Sequence, residues 1–234
     1  MGDSRYRGRR HKRRTRQDRV RELRRRALIL ICFSFLCIIG LVLLCRRLFF
    51  AQPRETVQIQ EMDESWEGAP ELDVQLLTMN PESRPGIALE KINGIVIHYT
   101  ANPGSTAQNN RDYFEGLKDS HETQASSHFV IGMDGEIIQC IPSTEIAYAS
   151  NDRNNDTLSI ECCHPDESGK FTDATYQSLV QLTAWLCKRF DVDPADGVIR
   201  HYDVTGKECP RYFVEHEDAW ETFLGDVQVR CSEI

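Results

Sequence analysis

Val198-Ile199-Arg200-His201-Tyr202-Asp203-Val204-Thr205-Gly206-Lys207-Glu208-Cys209-Pro210 is the stretch from which the rest of the chain is read. The short β-prone pair Val198 and Ile199 delivers His201 to a loop, and Cys209 follows eight residues later, against Pro210. An imidazole nitrogen and a thiolate sulfur on one loop suit zinc, which accepts both in tetrahedral geometry. Two ligands are too few for a closed structural site, so a third must come from a distant segment. The candidate is His98, at the end of the β-branched run Ile95-Val96-Ile97. Three protein ligands with one position left open is the pattern of a catalytic zinc.

Working outward, Gly94 to His98 reads as a buried strand, with Ile95 and Ile97 on one face and Val96 and His98 on the other. Phe129–Gly132 and Glu136–Ile141 flank Met133-Asp134-Gly135, a hairpin signal. Thr157–Cys163 is a further strand, interrupted by Glu161, and burying that carboxylate without a partner is expensive. A structural salt bridge would explain Glu161, and so would a metal site beside it. His128, like any single histidine at a strand end, reads first as a core-edge residue. Ser105 or Thr106 can cap a helix running to about Lys118. Thr172 caps the longest helix, Asp173 to Phe190, whose apolar stripe is Tyr176, Leu179, Val180, Thr183, Leu186 and Phe190. A last helix carries Trp220, Phe223, Leu224 and Val227. Strands interleaved with helices and one hairpin predict an α/β domain, a mixed central β-sheet flanked by helices.

The charge of the chain is segregated. Residues 1–26 carry thirteen Lys/Arg against three acids, whereas residues from Leu48 onward carry thirteen bases against thirty-three acids, and the net charge is -8. Residues 27–45 (ALILICFSFLCIIGLVLLC) contain no charge over nineteen positions, enough to cross a hydrocarbon core as a helix. The basic tract before it then reads as a cytoplasmic topology signal rather than a nucleic-acid arm. A cleaved signal peptide would want a small-x-small site, and Leu48-Phe49-Phe50-Ala51 puts Phe49 where a small residue belongs. The expected organisation is a basic cytoplasmic tail (1–26), a transmembrane signal anchor (27–45), an acidic linker (46–79) and a folded domain (80–234) outside the membrane. One transmembrane helix therefore precedes the α/β domain, and the membrane is a partner through it.

The segments Gly94-Ile-Val-Ile-His98-Tyr-Thr-Ala, Ser127-His128-Phe129-Val130-Ile131 with Asp134-Gly135, Asn155 to Glu161, and His201 through Cys209-Pro210 resemble, in their order, the zinc-dependent N-acetylmuramoyl-L-alanine amidases of type 2. That family shares its fold with the peptidoglycan recognition proteins. The resemblance implies Zn²⁺ held by His98, His201 and Cys209, Glu161 as general base, and Lys207 stabilising the oxyanion. It further implies peptidoglycan or muropeptides as substrate, cleaved between N-acetylmuramic acid and L-alanine. No nucleic-acid partner is expected, and a monomer is. One departure stands out: the phage branch of the family carries Tyr where this chain has Ser127, which shifts weight to Glu161.

Two other functions fit the same residues. One is a module that binds muropeptides without cutting them. The other is a metal-independent hydrolase using Cys209 as nucleophile and His201 as base, with Pro210 opening a helix whose N-terminus would lower the thiol pKa. Outside the membrane segment and the ligand position, Cys140, Cys162, Cys163, Cys187 and Cys231 are expected mostly as small buried hydrophobes, with room for one disulfide. Neighbouring Cys162 and Cys163 must point to opposite faces of their strand.

Overall fold

The computed structural model describes residues 68–234; the basic tail, the expected transmembrane helix at 27–45 and most of the linker lie outside them. Among the described residues no helix is long and apolar enough to cross a membrane. Six strands in chain order, β1 (Asp73–Val74), β2 (Gly94–Tyr99), β3 (Phe129–Ile131), β4 (Ile137–Gln139), β5 (Thr157–Cys162) and β6 (Val198–Arg200), form one sheet ordered β1-β4-β3-β5-β2-β6. Only β3 and β4 run antiparallel, as the hairpin; every other pairing is parallel. The expected mixed sheet is therefore present. Its central strands are buried along nearly their whole length because both faces are covered.

Period-two alternation sorts the two cores. Ile95, Ile97, Phe129, Ile131, Leu158, Ile160 and Cys162 enter the larger cluster on one face. Val130, Ile138, Cys140 and Cys163 enter a smaller one on the other. The adjacent Cys162 and Cys163 thus part to opposite faces, and all the described cysteines are free thiols.

The smaller core is closed by α1 (Ala107–Ser120) through Ala107 and Phe114. Its start is set by Thr106, whose hydroxyl accepts the Asn109 N–H at 3.1 Å while the Asn109 side chain accepts the Thr106 N–H at 3.2 Å. The larger core is closed by α2 (Asp173–Phe190), capped by Thr172 as expected and ended by Asp191 in the left-handed region. Burial on α2 is wider than one stripe. Leu182, Ala184, Trp185 and Cys187 are buried as well as Leu179, Val180, Thr183 and Leu186. The reason is α6 (Glu217–Glu233), whose Trp220, Phe223 and Val227 join the same cluster, so that α2 is packed from two sides. Truncating Leu179 or Leu186 to alanine there costs about 2–5 kcal/mol.

The hairpin turn closes with the Gly132 N–H donated to the Glu136 carbonyl at 2.8 Å. Gly135 is required twice over. Its φ is +87°, and a Cβ would come within 2.9 Å of Ser178 Oγ and 3.1 Å of the Ala174 carbonyl on α2.

Two local differences from the sequence reading bear on the site. The described part of the acidic stretch, expected as linker through residue 79, joins the domain: Asp73–Val74 pairs with Ile138 and Gln139, and Leu77 is buried in the smaller core. An edge strand needs only backbone donors and acceptors, so no apolar alternation announces it. The segment around His201, expected as a loop, winds into short helices: α3 (Pro194–Gly197) before β6, then α4 (His201–Thr205) and α5 (Arg211–Glu215) after it. Asp203 accepts the Arg200 backbone N–H at 2.8 Å, and Gly206 at φ +75° ends α4, so the His201 ring is held on a turn of helix.

Candidate metal centre and active site

The site lies at the carboxyl ends of β2, β5 and β6, where parallel strands release their chains and where α/β sheets place ligands. Pairing of β2 with β5 sets His98 directly opposite Glu161. Pairing of β2 with β6 sets Ile97 opposite Arg200, so the next residue of each strand is a histidine. The His98 and His201 rings stand with centroids 4.6 Å apart. The chain then folds back: the Tyr202 N–H donates to the Cys209 carbonyl at 2.9 Å, and the Cys209 N–H to the Lys207 carbonyl at 2.7 Å. This return brings Cys209 Sγ to 3.9 Å from His98 Nδ1. Ligand atoms of His98, His201 and Cys209 all lie within 4.8 Å of one another, and all three residues are buried.

The outer nitrogens of both rings are occupied. His98 Nε2 lies 3.2 Å from Ser150 Oγ, and His201 Nε2 lies 3.0 Å from Asn151 Oδ1. An amide oxygen only accepts, so His201 carries its proton on Nε2 and keeps a lone pair on Nδ1. That Nδ1 is buried and has no partner, and the same holds for Glu161 Oε2. Glu161 Oε1 sits 3.9 Å from His98 Nδ1, with its side chain 18% exposed.

The electrostatics follow from enclosure. Burial pushes the Glu161 carboxyl up to about 8 against the opposing pull of Lys207. Burial holds His98 well below the usual imidazole range, helped by His201 and Lys207, and it holds His201 down together with Lys207. Both rings are thus neutral, the form that ligates a metal. Burial, then Glu161, push the Cys209 thiol up to about 12. A nucleophilic cysteine needs the opposite shift, so this setting runs against the metal-independent hydrolase. Two imidazole lone pairs, one thiol and a carboxyl, with two atoms unpartnered, form a set that a bound dication would complete, and its N₂S donors suit zinc.

The structure brings together His98, Glu161 and the pair His201 and Cys209 from three separate segments. Lys207 is exposed on the same fold-back, and its charge is felt at His98, Glu161, His201 and Cys209. Ser127, where the phage branch has Tyr, is buried with its hydroxyl 3.0 Å from the Ser159 carbonyl and 3.1 Å from its neighbour's at Phe129. It serves the sheet, not the site. Ser150 and Asn151 carry no sequence signal of this placement, because a Ser-Asn pair between strands reads only as turn chemistry.

The sequence model of the N-acetylmuramoyl-L-alanine amidase family matches residues 88–212. The chain is 36% identical over 158 residues to the N-acetylmuramoyl-L-alanine amidase CwlL of Bacillus licheniformis, covering 62% of this chain and 43% of that protein. It is 31% identical over 176 residues to the N-acetylmuramoyl-L-alanine amidase BlyA of Bacillus subtilis (strain 168), covering 67% and 46%. It therefore spans less than half the length of both relatives. The solved catalytic domain of XlyA superimposes with a TM-score of 0.57 at 25% identity, covering 68% of this chain and 99% of that domain.

Proposed function

This chain belongs to the N-acetylmuramoyl-L-alanine amidase family, and we propose that it hydrolyses the amide joining N-acetylmuramic acid to L-alanine in peptidoglycan, using zinc held by His98, His201 and Cys209. The observation that carries the reading is the convergence of those three ligand atoms within 4.8 Å, beside a carboxyl 3.9 Å from His98 Nδ1. Zinc in such a set supplies Lewis acidity, which acidifies water and polarises a carbonyl. Glu161 accepts a proton from the attacking water, whose oxygen bonds to the amide carbon. Burial alone keeps the Glu161 carboxyl protonated in the metal-free site; a dication beside it would lower that pKa and free the carboxylate to take the proton and then return it to the departing amine of L-alanine. The C–N bond breaks in that second transfer. Lys207, exposed on the fold-back, sets a positive charge beside the oxyanion.

Cleavage should release new L-alanine amino groups from purified peptidoglycan without new reducing sugar ends. Glu161→Gln should slow that release by about 10²–10⁴, the usual range for a lost general base, with zinc still bound. Release of reducing ends instead, or wild-type turnover in Glu161→Gln, would refute the assignment.

We also propose that residues 27–45 anchor the domain outside the cell membrane, since thirteen basic residues precede that segment and each costs roughly 2.5–3.5 kcal/mol at the bilayer centre. Protease added to intact protoplasts should then digest the domain. Protection until lysis would reverse the topology.

A further inference from the structure

The segment between the hairpin and β5 carries no residue that the proposed chemistry uses, yet it touches both histidines of the site. Ser150 Oγ lies 3.2 Å from His98 Nε2, and Asn151 Oδ1 lies 3.0 Å from His201 Nε2. These are consecutive residues of one turn, which continues as the single 3₁₀ turn Asn151–Arg153. They reach two ligands that stand 103 positions apart in the chain, at 98 and 201.

The turn is itself held rigidly. Asn154 Oδ1 accepts the Ser150 N–H at 2.6 Å and the Ala149 N–H at 3.1 Å, while the Arg153 N–H donates to the Ser150 carbonyl at 3.0 Å. Thr157, the first residue of β5, donates its hydroxyl to the Arg153 carbonyl at 2.7 Å. A single continuous piece, from Ala149 through β5, therefore fixes the outer side of both rings and also carries Glu161. Ser150 is 1% exposed, so its contact with His98 is shielded from water that would otherwise compete for the same nitrogen.

Asn151 meets two demands at once. Its φ is +52°, a left-handed backbone that asparagine tolerates better than most residues. Its amide oxygen also accepts from His201, which locks the ring with Nδ1 free and turned inward. The hydrogen bonds are not part of a closed network, because the inner His201 Nδ1 is left buried without a partner. A ring with one nitrogen clamped and the other kept empty is a ligand prepared before the ion arrives.

We propose that Ser150 and Asn151 are positioning residues of the metal centre: one turn orients both histidine ligands, selects the tautomer of His201, and so raises the affinity of the site for zinc. The proposal rests on the metal-centre reading above and concerns binding, not turnover. Outer partners of this kind are commonly worth 10–100-fold in metal affinity.

The test is zinc affinity of the full chain in detergent, measured by competition with a chelator of known strength, for wild type, Ser150→Ala, Asn151→Gly and Asn151→Asp. Glycine removes the Asn151 side chain without straining the left-handed backbone, and aspartate keeps an accepting oxygen. Ser150→Ala and Asn151→Gly should each bind zinc about 10–100-fold more weakly, and Asn151→Asp should stay within a few-fold of wild type. Thermal midpoints of the metal-free proteins show whether each variant has kept its fold. Nitrogen NMR of the metal-free wild type should find His201 protonated at Nε2, a readout that depends on no variant. Zinc affinity unchanged in both truncations, or an Nδ1–H tautomer at His201, overturns the inference while leaving the metal centre intact. A wild type that binds no zinc overturns the metal-centre reading itself and this inference with it.

Discussion

Two regions on the same side of the sheet each bury histidine, and they do so to different ends. His128 precedes β3 and is 1% exposed; His98 ends β2 and is 2% exposed. Burial depresses the basicity of both, taking His128 to about 4 and His98 well below its usual range. By burial and basicity alone they are the same kind of residue. Their hydrogen bonds separate them. His128 donates from Nε2 to the Glu145 carbonyl at 2.9 Å and accepts at Nδ1 from the Ser159 N–H at 3.0 Å, so both nitrogens are spent on the fold. His201 spends only Nε2 and leaves Nδ1 buried without a partner, while His98 turns its Nδ1 to Cys209 Sγ and Glu161 Oε1, each at 3.9 Å. An inner nitrogen left open or facing only the other candidate donors, not burial, separates these two rings from the structural His128.

The largest effect that could break this contrast is at Cys209. Cys209→Ala should abolish stoichiometric zinc and cleavage together, a loss beyond the roughly 100-fold that an outer partner can cause. Cys209→Asp should retain part of both, because carboxylate binds zinc at about 2.0–2.2 Å where thiolate binds at about 2.3 Å. Metal analysis beside a cleavage assay reads both variants. Full activity of the wild type after chelation would dissolve the distinction between the two regions.

An intermediate effect is expected at His128, and it is a matter of stability. The unfolded chain takes up this proton near pH 6.5 and the folded one only near pH 4. The neutral ring therefore contributes full stability above pH 6.5, and that contribution is lost as pH falls toward 4. The slope is about 1.4 kcal/mol per pH unit, or about 3 kcal/mol in all. In His128→Gln, denaturant titrations of metal-free protein should lose one proton's worth of that slope relative to wild type, the other histidines being common to both. Its zinc affinity should be unchanged. A His128→Gln variant that folds normally but no longer binds zinc would place His128 with the ligands.

The smallest effect is expected at Arg84, whose guanidinium holds both oxygens of Glu145 at 2.7 and 2.8 Å and so steadies the carbonyl that His128 meets. Arg84→Lys loses the two-pronged contact and should cost on the order of 1 kcal/mol of stability, read as a small fall in the unfolding midpoint, with zinc affinity untouched. A measurable change in metal binding would mean that the two regions are mechanically joined.

Much of the domain is legible in the chain because its signals are local. Alternation in Gly94–His98 and Thr157–Cys163 assigns faces, Met133-Asp134-Gly135 announces the hairpin, and Thr172 starts α2 at the observed residue. The strand β1 gives no such signal, since an edge pairs through its backbone. The breadth of burial on α2 depends on α6, which arrives some thirty residues later in the chain. Ser150 and Asn151 are the hardest to find, for their side chains matter only through partners from distant strands.

The sequence by itself determined which donors the domain has and which face of each strand carries them, because side-chain direction alternates along a strand whatever lies around it. Only the tertiary structure decided which donor atoms meet and which stay free. Strand register sets His98 opposite Glu161, a fold-back returns Cys209, and one buried turn occupies the outer nitrogens. The register and the clamped outer nitrogens are hydrogen bonds between residues far apart in the chain, and no local pattern encodes them.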